Sequence, residues 1–224
     1  MTQPPTTNNN SHISLTLIEP NLYLGNLESS YSIPTLITHG ITAIVSLSGI
    51  HHEEWSRPAN RKLVPKENHY QFIPCDDSPN QDILCCLGDI CDFIDDHIGV
   101  PSVQEILAGV KPGDDEEDVL AREMGRSRKV LVHCDEGVSR SPAVVAGYLM
   151  RRDGRGVRGV MREVRKRRGC VRVNRGFLEQ LKVWERVGYK VWEDEEKKVP
   201  VEGYKRWLEK RDSRVMGEVC LGDV

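Results

Sequence analysis

Lys129-Val130-Leu131-Val132-His133-Cys134-Asp135-Glu136-Gly137-Val138-Ser139-Arg140-Ser141 reads as a strand running into a tight loop, and Pro142 to Met150 then follows as a helix. A cysteine at a strand end, with an arginine opening the next helix, is placed to hold and attack a phosphate. Loop amides and a helix N-terminus together form an anion cradle. The same positive field favours the thiolate, which is the nucleophilic form of Cys134. Arg140 brings a planar fork that can hold two phosphoryl oxygens, which a lysine does less well. Gly137 lets the backbone curl around the anion, and Ser141 can donate a hydrogen bond to the sulfur when it leaves. A lone cysteine reads most simply as a buried, inert thiol. Here His133, Gly137, Arg140 and Ser141 stand at the offsets such chemistry needs, and the bland reading loses.

Working outward, the chain alternates strands and helices. Leu15 to Ile18 and Leu22 to Leu24 are short strands around a Pro-Asn turn. Ser32-Ile33-Pro34 opens a helix, with proline tolerated in its first turn, and Gly40 ends it. Ile41 to Leu47 is an apolar, β-branched run suited to a buried parallel strand, and His69 to Ile73 is another strand. From Asp82, a good N-cap, Ile83, Leu84, Leu87, Ile90, Ile94 and Ile98 recur at helical spacing. Further helices are expected over Ser141 to Arg152, Gly156 to Arg168 and Asn174 to Val187. This alternation predicts an α/β fold: a central, mainly parallel sheet flanked by helices on both faces. Ligands collect at the carboxyl ends of strands in such sheets, and Cys134 sits at one.

Composition bounds the rest. The chain has 224 residues, 38% hydrophobic and 29% charged, with net charge −3, which suits one domain with modest extensions. No global basic field argues for nucleic acid. Apolar stretches fall far short of the roughly 20 residues of a membrane span. Met1 to His12 is polar and rich in Asn, Thr and Pro, which predicts a disordered leader rather than a signal peptide. Seven cysteines form no metal-ligand or disulfide-framework spacing, so a reducing compartment, the cytoplasm, is expected.

His133-Cys134-x-x-Gly137-x-x-Arg140-Ser141 resembles the signature of cysteine-dependent protein phosphatases. The flanks Val130-Leu131-Val132 and Ala146-Gly147-Tyr148-Leu149-Met150 are similar to the dual-specificity branch, in its small single-domain form. The resemblance runs from about Ile13 to Tyr189 and includes Asn21-Leu22-Tyr23-Leu24-Gly25, Ile41 to Ser48, Phe93-Ile94-Asp95, and Val173-Asn174 with Phe177 and Gln180-Leu181. Valine at 173 replaces the usual proline. The resemblance implies a cysteine-dependent phosphatase fold and hydrolysis of phosphotyrosine and of phosphoserine or phosphothreonine through a phosphocysteine on Cys134. It implies no cofactor and no metal. The phosphate-binding loop would be Asp135, Glu136, Gly137, Val138, Ser139 and Arg140. Catalysis needs an acid to protonate the leaving oxygen. By resemblance that acid is Asp77, in preference to Asp76, which also reads as a turn residue. Ser141 would stabilise the departing thiolate. His133 would be supporting: adjacent strand residues face opposite ways, so by resemblance it orders the loop rather than acting as a base.

The expected partner is a phosphorylated protein. Relatives acting on inositol lipids usually carry lysines inside the loop, where this chain has Asp135, Glu136 and Val138. A phosphatase of a non-protein phosphate (an inositol lipid or an RNA 5′ end) and a phosphate-binding module without turnover remain the alternatives. Nucleic acid is disfavoured as a partner, and the oligomeric state is open. From Arg151 to Arg175 the formal charge is +9. That segment reads either as a solvated face or as a patch for acidic ligands, with Arg167, Arg168 and Arg172 able to approach the pocket. Lys166-Arg167-Arg168 is a weak match to a nuclear-import signal, which adds the nucleus as a second compartment. The domain is thus expected over residues 13–189, with an acidic insertion at about 99–128 and a C-terminal extension over 190–224. Tyr204, Trp207 and Leu208 in that extension are suited to packing back on the domain.

Overall fold

The computed structural model describes residues 12–50, 69–99 and 128–221, with residues 106, 110, 113, 115 and 117–120 between the last two spans. Five strands form one sheet: β1 (Leu15–Glu19), β2 (Leu22–Gly25), β3 (Ile41–Ser48), β4 (Tyr70–Pro74) and β5 (Lys129–His133), in the order β1-β2-β5-β3-β4. β1 pairs antiparallel with β2, and the other three pairings are parallel. The sheet is therefore mainly parallel, with an antiparallel edge. β5 sits at its centre, and Val130, Leu131, Val132 and His133 are all buried. A strand covered on both faces is what that apolar run requires.

Helices cover both faces, unequally. On the smaller side lie α1 (Leu27–Tyr31) and α2 (Ile33–His39), over Tyr23, Leu36, Ile41, Ile44 and Leu131. Gly40 ends α2 in the left-handed conformation, φ 64°, where glycine carries no Cβ penalty. The larger side holds α3 (Leu84–His97), α4 (Arg140–Asp153), α5 (Val157–Arg167), α6 (Arg175–Arg186) and α7 (Glu202–Leu221). α3 turns Leu84, Leu87, Ile90, Cys91 and Ile94 inward. Each buried leucine or isoleucine stabilises the fold by about 1.5–3 kcal/mol. α4 is buried over its first three turns and forms the spine of the domain. Gly147 lets its neighbours close in: a Cβ there would lie 2.8 Å from Leu87 Cδ2. The Gly147 carbonyl also accepts a hydrogen bond from Trp184 Nε1 of α6 at 3.1 Å.

Element boundaries agree with the periodicity to within about two residues, the usual uncertainty of helix ends. Asp82 does cap α3, accepting from Leu84 N at 2.9 Å and Cys85 N at 3.3 Å, although Ile83 is the boundary residue. The short helix α1 carries no apolar period and was not expected. Gly99 and Arg128 pair with each other at the amino end of β5, so the ends of the acidic insertion lie opposite the Cys134 edge. The expected leader lies outside the described residues except for His12. Beyond residue 189 there is no separate core: Tyr204 and Trp207 join the main cluster. Tyr204 donates its hydroxyl to Asp82 Oδ2 at 2.6 Å.

Candidate active site

β5 ends at His133, and the chain turns at once into the loop that opens α4. Cys134 lies at the floor of this loop with 2% of its surface exposed. Two donors point at its sulfur: Gly137 N–H at 3.3 Å and the Ser141 hydroxyl at 3.2 Å. The loop is curled tightly enough that Gly137 takes φ 69°. A Cβ there would lie 2.5 Å from the Gly25 carbonyl oxygen, so only glycine fits. Ser139, the boundary residue of α4, makes no side-chain cap to the helix. The first amides of α4 are thereby left for an anion.

Arg140 is buried, and its guanidinium is held from two sides. Nη1 donates to the Cys75 carbonyl at 3.0 Å, and Nη2 donates to Asp135 Oδ2 at 2.6 Å. The other Asp135 oxygen accepts from the Ser48 hydroxyl at 3.1 Å, which fixes the carboxylate to the end of β3. Arg140 Nε is buried and has no acceptor among the described residues. A buried donor left unmade costs about 1–3 kcal/mol, so an incoming oxygen at that point gains a preformed partner. Asp135 thus pairs with Arg140, while Glu136 faces solvent. Burial pushes the Cys75 thiol up to about 12, against the pull of Arg140, so it stays protonated at neutral pH.

The two candidate acids are separated by their surroundings. Asp77 Oδ1 accepts from the Ser139 hydroxyl and from Asn174 Nδ2, each at 2.7 Å. It therefore faces the loop. The Asp76 side chain lies against Gly49, where a Cβ would come within 2.2 Å of its Oδ1. The segment carrying both residues is anchored to α6. Buried Gln180 accepts from Ile83 N and donates to the Gln81 carbonyl, both at 2.8 Å. Gly176 lets the α6 backbone meet Pro79, whose oxygen a Cβ would approach to 2.0 Å. Asn174 caps α6, its Oδ1 accepting from Phe177 N at 2.9 Å, and donates its own backbone amide to the Ser139 hydroxyl at 3.1 Å. One asparagine therefore joins the helix start, the loop and Asp77.

His133 is fully buried between β2 and β3, its neighbours in register being Gly25 and Ser46. Arg168, read in the sequence as part of a solvated face or as able to approach the pocket, lies beneath the loop, 4% exposed. Its Nε donates to the Gly137 carbonyl at 2.9 Å, Nη2 to the Glu136 carbonyl at 3.3 Å, and Nη1 to Thr16 Oγ1 at 3.1 Å. Holding those carbonyls downward turns the loop's amides up toward the sulfur. Arg167 and Arg172 are exposed, although the Arg172 backbone amide braces the Val138 carbonyl at 2.9 Å. Sequence reasoning brought Arg168 near the pocket and matched Asn174 and Gln180 to the family pattern, but it missed the contacts by which they brace the loop and Asp77. The cap position of Asn174 was a further signal in the sequence.

Comparison with known proteins agrees with this geometry. Residues 115–187 match the family model described as dual specificity phosphatase, catalytic domain, a span holding the loop and helices α4 to α6. Dual specificity protein phosphatase 5 of Rattus norvegicus is 31% identical over 168 residues, covering 75% of this chain and 35% of that protein. The serine/threonine/tyrosine-interacting protein of Homo sapiens is 28% identical over 172 residues, covering 76% of this chain and 64% of that protein. The chain spans little more than a third of the length of the first curated relatives it matches. Among solved structures, the phosphatase domain of Yvh1 from Chaetomium thermophilum superposes with a TM-score of 0.58 at 26% identity, covering 78% of this chain and 97% of that one. In sequence and fold the chain thus resembles the dual specificity phosphatases, matching the model of their catalytic domain over residues 115–187.

Proposed function

We propose that the chain is a protein phosphatase working through a phosphocysteine on Cys134. The observation that carries this is the polarity around one sulfur. It receives an amide and a hydroxyl hydrogen, while beside it Arg140 keeps a buried donor with no acceptor among the described residues. A phosphate entering the loop would meet the uncapped amides of α4 and Arg140 Nε. The Cys134 thiolate then attacks phosphorus in line, and the phosphorus–oxygen bond to the substrate breaks. The leaving oxygen takes a proton from Asp77, whose carboxyl group is aimed at the loop by Ser139 and Asn174. Water, giving its proton to Asp77, next displaces the sulfur, and the Ser141 hydroxyl stabilises the thiolate as it departs. Acid–base help of this kind is worth about 10²–10⁴-fold. Positioning and charge stabilisation supply the larger remainder, as in other phosphoryl transfers.

The proposed substrates are phosphotyrosine and phosphoserine or phosphothreonine in proteins. Asp135 and Glu136 beside the sulfur would repel the extra phosphates of an inositol lipid or an RNA 5′ end. The six cysteines with described side chains are free thiols. That fits a reducing compartment such as the cytoplasm. Among the described residues no helix is long and apolar enough to cross a membrane. A second reading, phosphate binding without turnover, is favoured by one relative, whose name describes an interacting protein. A single panel separates the readings: an aryl phosphate first, then phosphopeptides, inositol phospholipids and 5′-phosphorylated RNA. Turnover of the aryl phosphate and the phosphopeptides is expected. Binding without hydrolysis selects the second reading, and hydrolysis confined to lipid or RNA overturns the substrate class.

A further inference from the structure

α6 and α7 run antiparallel. Gly203 of α7 abuts Val187 at the end of α6, while Arg214 pairs with Glu179 near its start and Arg211 reaches Asp82. Between them lies an open groove of about 730 Å³. Its floor is apolar, built from Val183, Val187, Val201 and Trp207. Its rims carry Lys182, Arg186, Arg206 and Lys210, all exposed. Glu179 is the single acid lining it and is already bonded by Arg175 and Arg214. Among the described residues, no carboxylate lies within ion-pair distance of Lys182, Arg186 or Lys210. Trp207, bordering the same groove, buries an indole N–H that has no acceptor among the described residues. The family-model match ends at residue 187, so one wall is made by residues outside it.

We propose that this groove docks an acidic segment of the phosphoprotein substrate. The inference deepens the phosphatase reading and rests on it. Charge complementarity selects the occupant: unpaired cations over an apolar floor suit aspartate and glutamate flanking a hydrophobic residue. One wall of the groove, α6, leads back to the catalytic end, because that helix starts beside Asn174, which holds Asp77. At 1.5 Å per helical residue, Lys182 lies about 12 Å and Arg186 about 18 Å along the axis from Asn174. An extended peptide rising about 3.3 Å per residue spans that interval in roughly four to six residues. The preferred substrate therefore carries its acidic block at least about four to six positions from the phosphorylated residue.

The test uses the full chain and the Lys182→Glu/Lys210→Glu double variant, neither residue being part of the catalytic machinery. Substrates are an aryl phosphate and two phosphotyrosyl peptides, with Asp/Glu or Asn/Gln at those positions. Wild type should prefer the acidic peptide through KM, and the preference should fade with added salt. The double variant should raise that KM roughly tenfold, as expected for the loss and reversal of two exposed charge contacts, and leave the aryl phosphate and the neutral peptide unchanged. Absence of any preference, with aryl phosphate still turned over, overturns the docking proposal and leaves the phosphatase reading standing. If no aryl phosphate is turned over, that reading fails. Fluorescence anisotropy of the unphosphorylated acidic peptide then judges the groove alone, and binding insensitive to the double variant, or self-association of the chain through this face, overturns it.

Discussion

Replacing Arg168 by methionine removes a guanidinium from beneath the catalytic loop while keeping most of the apolar stem. The buried carbonyl of Gly137 and the partly buried carbonyl of Glu136 each lose a donor, and Thr16 loses its partner. A buried polar group left unsatisfied costs about 1–3 kcal/mol. Two such carbonyls, less whatever water recovers, give an expected loss of about 2–5 kcal/mol of folding stability. The consequence for function is separate. Without Arg168 the carbonyls can rotate upward, and the amides that should receive phosphate oxygens no longer point at them. Removing one preorganised donor to a developing charge costs about 10²–10³-fold in kcat. Arg168 acts through the loop rather than on the substrate, so the low end, about 10²-fold, is expected here. Urea unfolding followed by tryptophan fluorescence measures the first effect. Inhibition by vanadate, together with kcat/KM for an aryl phosphate at a temperature where circular dichroism shows the variant folded, measures the second. Arg168→Lys keeps the charge but not the fork, and should fall between wild type and methionine on both. A methionine variant within about 0.5 kcal/mol of wild type, with unaltered vanadate affinity, would refute the argument that this guanidinium aims the loop.

Asp77→Asn should lower kcat for phosphopeptides by about 10²–10⁴-fold. The loss should be smaller for an aryl phosphate with a good leaving group, and Asp76→Asn should stay near wild type. The reverse ranking in a steady-state assay would move the acid to Asp76. Asn174→Ala removes the α6 cap at a cost of about 0.5–2 kcal/mol and frees Asp77, so kcat should drop more than thermal stability accounts for. Gly147→Ala should destabilise by about 1–3 kcal/mol through overpacking against Leu87, with KM for aryl phosphate unchanged. A stabilised alanine variant in thermal unfolding would show that α3 and α4 have room to separate.

Much of the fold was legible because it is written locally. The apolar runs at Ile41 and Val130 give buried strands, and the spacing from Leu84 to Ile94 gives a helix. The loop was legible for the same reason, since Cys134, Gly137, Arg140 and Ser141 lie within one turn of chain. What sequence could not supply was contact across distance. Arg168 stands in a run of basic residues and looks like its solvated neighbours; only the packing of α5 against the sheet sends it inward. Asp76 and Asp77 are chemically identical, and what separates them is a serine and an asparagine placed by other elements. The pairing of Asp135 with Arg140 was equally hidden, because two charges five residues apart reveal nothing about whether the loop folds them together.

Acid-quenched intact-mass analysis after mixing with a phosphotyrosyl peptide tests the account most directly. The central claim predicts a single phosphoryl group on Cys134 in the wild-type chain, absent from Cys134→Ser, which should bind the peptide but release no phosphate. Phosphate release by Cys134→Ser at the wild-type rate, or a phosphoryl group mapped to another residue, would contradict it.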